Sequence, residues 1–215
     1  MRREYFEEMY AANPDPWGFQ DRWYEQRKYA LTVAALSRPR YRSVFEPGCS
    51  IGVLSAQLAL RCDRLLAVDL VESAVRQAHE RLDGLPPGAA EVEVRQWDAA
   101  ADPWPDGRFD LVVLSEMVYY LEPEQARRLL TEALGHLADD GEIVLVHWRP
   151  RVPEYPMTGD EAHTVARATP GLELAAHYED DDLVLDVLRR SGSGSVAARQ
   201  GLRDKDFAPE EVSIE

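Results

Sequence analysis

From Ser43 onward the chain alternates short apolar runs with stretches of helical periodicity, the runs being Ser43–Glu46, Leu65–Asp69, Val92–Arg95, Phe109–Leu114 and Glu142–His147. Between them the apolar spacing predicts helices over Gly52–Arg61, Ser73–Leu82 and Pro123–Leu137, with Asp139-Asp140-Gly141 expected as the C-cap and turn that closes the last. Strands alternating with helices build βαβ units, so the runs should lie side by side in a mostly parallel sheet with right-handed crossovers. After a further predicted helix at Glu161–Ala168, the runs Leu172–Ala176 and Leu183–Leu188 flank an acidic turn, Glu179–Asp182, which predicts a closing antiparallel hairpin. The expected fold class is therefore α/β: one doubly wound domain whose sheet has seven strands, mostly parallel, ending in that hairpin.

The ends of the chain read differently. Asn13-Pro14-Asp15-Pro16 separates two predicted helices, Tyr5–Ala11 and Arg22–Leu36, in a segment rich in aromatic and charged residues. Residues 1–40 are expected to form a helical cap on the core at 41–190, and 191–215, opening on Ser191-Gly192-Ser193-Gly194, to be a flexible or loosely docked tail. No internal repeat is visible.

Composition narrows the functional classes. A chain of 215 residues with 45% apolar content can bury one substantial core. Its formal net charge of −15 argues against a nucleic-acid backbone as substrate, since phosphate binding needs clustered Lys and Arg. A neutral or cationic small molecule suits that charge better, although acidity also simply keeps a protein dissolved. No run approaches the ~20 apolar residues of a membrane span, and Met1–Tyr10 is unlike a signal-peptide core, so a cytoplasmic location is expected. Cys49 and Cys62 have neither metal-site spacing nor disulfide density, and they are expected as reduced thiols with no metal site.

The strongest local signal is Val44-Phe45-Glu46-Pro47-Gly48-Cys49-Ser50-Ile51-Gly52, a strand running into a loop of small residues that opens a helix. Such a loop lets backbone approach a ligand closely, as in dinucleotide sites. Glu46 at the strand end would repel a pyrophosphate but can hold the amino group of a methionyl ligand, and the spacing is not Gly-x-Gly-x-x-Gly. Asp69 ends the second strand, where a carboxylate can accept from both ribose hydroxyls, and Gln96-Trp97-Asp98 follows the third, offering a ring for stacking and an acceptor for an adenine amino group. Each has a purely structural alternative: Asp69 and Asp98 as helix N-caps, Trp97 as core. Three such residues in order at successive strand ends favour the ligand reading, because open α/β sheets bind ligands there.

The segments Glu46–Gly52, Leu66–Asp69, Gln96–Asp98 and Phe109–Glu116 resemble the successive motifs of class I S-adenosylmethionine methyltransferases, with their Rossmann-like fold. Ser50 departs from them, standing where that family usually has glycine, and as a serine it should avoid strongly positive φ. More narrowly, Asn13–Trp17, Trp23–Tyr29, Glu46–Gly52, Leu114–Glu116 and His147–Arg149 with Thr158–Glu161 are similar to the nodulation protein S (NodS) group. The resemblance implies S-adenosyl-L-methionine as cofactor and N-methylation of a deacetylated amino sugar at the end of a chitooligosaccharide.

Methyl transfer from a sulfonium is an in-line displacement, so alignment and exclusion of water matter most, and an amine must first lose its proton. Glu116, after the fourth strand, and His147, at the end of the fifth, are the candidate proton acceptors, both expected to open onto the cleft. On the cofactor side Glu46, Gly48, Ser50, Gly52, Asp69, Trp97, Asp98 and Ser115 are expected, with Arg27 reaching a methionyl carboxylate. Trp17, Tyr24, Tyr119, Tyr120, Asp160 and His163 are the candidate substrate contacts, and Trp17, Trp23, Tyr24 and Tyr29 have the alternative of stapling the cap to the core. O-methylation of a hydroxyl with His147 as base, a nicotinamide-dependent oxidoreductase and a non-catalytic nucleotide binder stay open as alternatives, as does the choice between monomer and homodimer.

Overall fold

The computed structural model describes residues 3–203. Two helices, α1 (Arg3–Ala12) and α2 (Trp23–Ala35), precede a run in which β1 (Tyr41–Pro47), β2 (Cys62–Asp69) and β3 (Glu91–Gln96) alternate with α3 (Val53–Ala59) and α4 (Glu72–Leu82). Then come β4 (Phe109–Ser115), a 3-10 turn at Val118–Tyr120, α5 (Pro123–His136), β5 (Leu137–Trp148), α6 (Gly159–Arg167), the hairpin β6 (Leu172–Glu179) and β7 (Leu183–Arg190), and a short α7 (Val196–Arg199). All seven strands form one sheet in the order β3-β2-β1-β4-β5-β7-β6. The first five pair in parallel, and β7 pairs antiparallel to both β5 and β6.

The two faces of the sheet explain the apolar runs. Successive strand residues point to opposite sides, so Val44, Leu65, Leu111, Val113 and Val144 pack with α2, α3 and α4 through Tyr29, Leu54, Leu58 and Ala78. Their neighbours Phe45, Val68, Val112, Leu114 and Ile143 pack on the other side with α5 and α6 through Leu129, Leu130, Ala133 and Ala162. Both faces are covered, hence continuous apolar runs instead of alternation. A smaller cluster, in which Tyr10 meets Ile51, Val71 and Ala74, anchors α1 over the sheet's carboxyl edge.

One expected boundary is corrected. Asp139-Asp140-Gly141 neither caps nor follows α5: Leu137 turns directly into extended backbone (φ −75°, ψ 134°), and those residues form a bulge inside β5. Phe109 pairs with Leu137 and Leu111 with Glu142, so four residues of β5 bulge past one of β4. The helix needs no glycine cap because the Arg190 guanidinium, reaching over from β7, donates to the carbonyls of Leu134 and Leu137. Of the expected tail, Arg199 donates to Ser37 Oγ at 2.8 Å, while residues 204–215 lie outside the described part. No described helix is long and apolar enough to cross a membrane.

Where β1 leads into α3, Gly52 adopts φ +77°, and a Cβ there would stand 3.0 Å from Ala78 Cα of α4. Gly52→Ala is expected to lower unfolding stability by ~1–3 kcal/mol through that left-handed backbone, read as a drop in the urea midpoint at unchanged m-value.

Candidate active site

The order of strands reverses between β1 and β4, and a crevice opens at such a point on the carboxyl side of a parallel sheet. Here it is a cavity of about 450 Å³ between the strand tips and the N-terminal segment, inside the range usual for small-molecule sites.

The loop after β1 is a chain of left-handed turns, with Gly48 at φ 76°, Ser50 at 51° and Gly52 at 77°. The expectation that Ser50 avoids positive φ is therefore wrong. Its strained backbone is held from two sides, by its N–H donating to Asp69 Oδ2 at 2.8 Å and by its hydroxyl bonded to that of Tyr10. Asp69 uses its other oxygen to accept from Val71 N–H at 2.9 Å, so one carboxylate pins the loop to the end of β2. Burial raises the Asp69 carboxyl, while the Val71 and Ser50 amides oppose that shift by favouring the charged form. Glu46 is 2% exposed and its Oε2 has no partner among the described residues. Burial pushes its carboxyl up to about 8, against the Ser55 hydroxyl, which favours the charged form, and with help from the charge on Asp69. After β3, Trp97 carries a buried Nε1 without a partner, and Asp98 accepts from Ala100 N–H at 3.0 Å.

At the tip of β4, Glu116 holds the left-handed conformation (φ 54°), rare for a residue with a side chain. Three consecutive residues of β5 fix the turn it makes. Val146 O accepts from Glu116 N–H, His147 Nε2 accepts from Val118 N–H, and Trp148 N–H donates to Glu116 Oε2. The same Oε2 accepts from Tyr119, and Oε1 accepts from Lys28 Nζ at 2.8 Å. Lys28, 1% exposed on its side chain, also meets Glu25 Oε2 at 2.6 Å, so an ammonium on α2 bridges two carboxylates.

Most of the expected residues meet at this cavity. Trp17, Tyr24, Glu46, Gly48, Ser50, Asp69, Trp97, Asp98, Ser115, Glu116, Tyr119 and Tyr120 all line it. Five do not. Gly52 packs against α4 just behind the loop. Arg27 points away, ion-paired with Asp180 at 2.8 Å and donating to the Tyr178 hydroxyl. Asp160 is taken by Arg149 at 2.8 Å. His147 does not open onto the cleft. It is fully buried, with Nδ1 bonded at 3.0 Å to His163 Nε2, and His163 Nδ1 in turn bonded at 2.8 Å to Asp186. Because Nε2 of His147 accepts from Val118, its Nδ1 carries the proton and donates to His163, whose own proton faces Asp186. Burial and then the neighbouring His163 hold His147 well below the usual imidazole range, so it stays neutral. Burial opposes ionisation of Asp186, but hydrogen bonds from His163 and Arg167 outweigh it and hold its carboxyl well below the ordinary value.

Sequence reasoning missed Glu25 and Lys28, along with Tyr10, Arg22, Trp148 and Tyr155 on the cavity wall. A signal existed for the first two: Glu25, Lys28, Tyr29 and Thr32 are the buried positions of α2, at helical spacing that leaves Arg27 on another face.

Comparison with known proteins gives the chain's family and fold relatives. Residues 44–141 match the family described as "Methyltransferase domain". A crystal structure from Pseudomonas syringae, described as a methyltransferase, is 40% identical, covers 79% of this chain and 100% of its own, and superposes with a TM-score of 0.67. The chain belongs to the class I methyltransferase family. It is also 29% identical over 132 residues to nodulation protein S of Azorhizobium caulinodans, a match covering 60% of this chain and 61% of that relative's length. The N-methyltransferase NodS from Bradyrhizobium japonicum WM9, solved with S-adenosyl-L-homocysteine, shares the fold at a TM-score of 0.78 and 24% identity, over 89% of this chain and 100% of that one.

The buried His147 makes stability sensitive to acid. An imidazole held neutral in the folded state takes up a proton more readily when unfolded, so stability falls as pH drops below about 6.5 and keeps falling toward the folded-state value. His147→Gln keeps an acceptor for Val118 N–H but cannot titrate. Its stability is expected to vary less steeply below pH 6, by about 1.4 kcal/mol per pH unit, in denaturant titrations from pH 7 to 5.

Proposed function

We propose that this methyltransferase moves a methyl group from S-adenosylmethionine to the amino group of a small molecule, with an amino sugar or chitooligosaccharide-like compound as acceptor. The observation that carries the cofactor is the row of acids Glu46, Asp69 and Asp98 at the tips of β1, β2 and β3 around one cavity. The groups present suit that molecule: an unpartnered buried Glu46 Oε2 calls for a donor such as an α-ammonium, and an unpartnered Trp97 Nε1 for an acceptor.

In this reading Glu46 receives the methionyl ammonium, Asp69 the ribose hydroxyls and Asp98 the adenine amino group, with Trp97 as the stacking surface. Arg22, which lines the cavity where Arg27 does not, is the cation for the methionyl carboxylate. The bound cofactor supplies an electrophilic methyl on sulfur. The chain's own part is to align the acceptor, keep water out with Tyr24, Tyr119, Tyr120 and Trp148, and leave the attacking nitrogen unprotonated. Of the two proton acceptors named from sequence, Glu116 is on the cavity wall, its oxygens shared with Lys28, Tyr119 and the Trp148 amide, whereas His147, on which the hydroxyl reading leaned, is fully buried outside the cavity with its acceptor nitrogen engaged by Val118. The similarity to NodS proteins supports an amine.

Methyl transfer from labelled cofactor should appear with glucosamine-type amines and not with phenols; transfer to phenols alone would reject the amine. Mass action predicts that S-adenosylhomocysteine raises the Tm and NAD does not. Asp69→Ala is expected to weaken S-adenosylhomocysteine binding by ~1.5–3 kcal/mol in isothermal titration, and an unchanged affinity would remove Asp69 from the ribose.

A further inference from the structure

We propose that Glu25 makes the wall of the cavity around Lys28 and Glu116 a subsite for an organic ammonium ion, and so selects a cationic acceptor. The inference rests on the methyltransferase reading of the cavity and names the charge state in which its substrate arrives: an amine bound there as ammonium gives up one proton to a cavity carboxylate before its nitrogen attacks.

Three observations carry it. First, Lys28 Nζ lies 2.6 Å from Glu25 Oε2 and 2.8 Å from Glu116 Oε1, and the three side chains are 1%, 8% and 13% exposed. One ammonium thus serves two carboxylates, and burial pushes the Glu25 carboxyl above its ordinary value, an imbalance that a second cation in the cavity would relieve. Arg3 and Arg22 share the cavity wall, yet neither is ion-paired with these carboxylates.

Second, the buried Glu46 carboxyl opens on the same cavity with its Oε2 unpartnered. Glu25, Glu116 and Glu46 line this one cavity, and Lys28 is the cation bonded to the first two. A cofactor's α-ammonium satisfies Glu46, and the excess at Glu25 and Glu116 remains for a second cation.

Third, the wall beside these acids is aromatic. Tyr24 and Trp148 meet edge to face with centroids 5.1 Å apart, and Tyr119 donates to Glu116. Lys28 Nζ already lies 5.4 Å from the Tyr24 ring centroid, so that ring accepts positive charge in this structure. Ring faces beside carboxylates recognise ammonium groups and discriminate against neutral groups of the same shape. Burial first, and then Glu116 and Glu25, hold the Tyr24 phenol far above its usual range, so it adds no negative charge of its own.

Glu25 is the selective element because the oxygens of Glu116 are already shared among Lys28, Tyr119 and the Trp148 amide, whereas Glu25 is held by Lys28 and the Tyr29 hydroxyl. The experiment uses choline and its neutral isostere 3,3-dimethylbutan-1-ol, titrated calorimetrically into the full-length protein saturated with S-adenosylhomocysteine, and again into the free protein. Choline is expected to bind about tenfold tighter than the alcohol. Glu25→Gln should remove most of that preference by weakening choline alone, and Glu25→Asp should keep it. Equal affinities in the wild type, no binding of choline, or a Glu25→Gln variant that weakens both probes alike would overturn the subsite. The wild-type pair decides the matter even if Glu25→Gln does not fold. Failure of S-adenosylhomocysteine to bind would instead strike the methyltransferase reading, whereas its binding without any choline preference would strike the ammonium subsite alone.

Discussion

The carboxylate of Glu116 is the point at which the cavity is held together. Its backbone is forced into a left-handed turn, its two oxygens collect Lys28, Tyr119 and the amide of Trp148, and Lys28 belongs to the helix that roofs the site. Roof, floor and the neighbouring strand are therefore joined through one side chain, in surroundings dry enough that each of these charge-assisted bonds counts for more than on the surface. Removing one partner of a buried pair exposes the whole desolvation cost of the other, so this group of contacts forms or fails as a unit.

Asp69 does the corresponding work on the cofactor side. It ties the left-handed Ser50 to β2 and still borders the cavity, so one geometry serves its structural contacts and the ligand contact proposed for it. Deeper in, the chain from Val118 through His147 and His163 to Asp186 sets the tautomer of both rings and supports the turn that presents Tyr119 and Tyr120. Neutral imidazoles suit this place: each donates with one nitrogen and accepts with the other, which neither a carboxylate nor an ammonium can do.

The sheet was legible in the sequence because strands buried on both faces must be apolar throughout, and acids such as Asp69 at their ends stand out against that background. What stayed hidden depended on direction and depth. Arg27 and Lys28 differ by one position, yet about 100° of helical turn sends one to Asp180 and the other to Glu116. His147 and Trp148 are likewise adjacent on β5, and strand alternation puts the histidine under the floor and the tryptophan on the wall. Ser50 resisted reading for another reason: the Tyr10 hydroxyl that steadies it is supplied by a helix forty residues earlier. The bulge in β5 was masked because Arg190, distant in the chain, replaces a helix cap that local residues would otherwise signal.

The left-handed backbone at Glu116 has a corollary for substitution at that position. Glycine would relax the main chain there but would remove the anchor of Lys28, and an apolar side chain would keep the strain without the anchor. Main-chain comfort and charge balance pull this position in opposite directions. A change at residue 116 is therefore felt at once by Lys28 and, through it, by Glu25, so the three side chains are tied to one another as a physical unit.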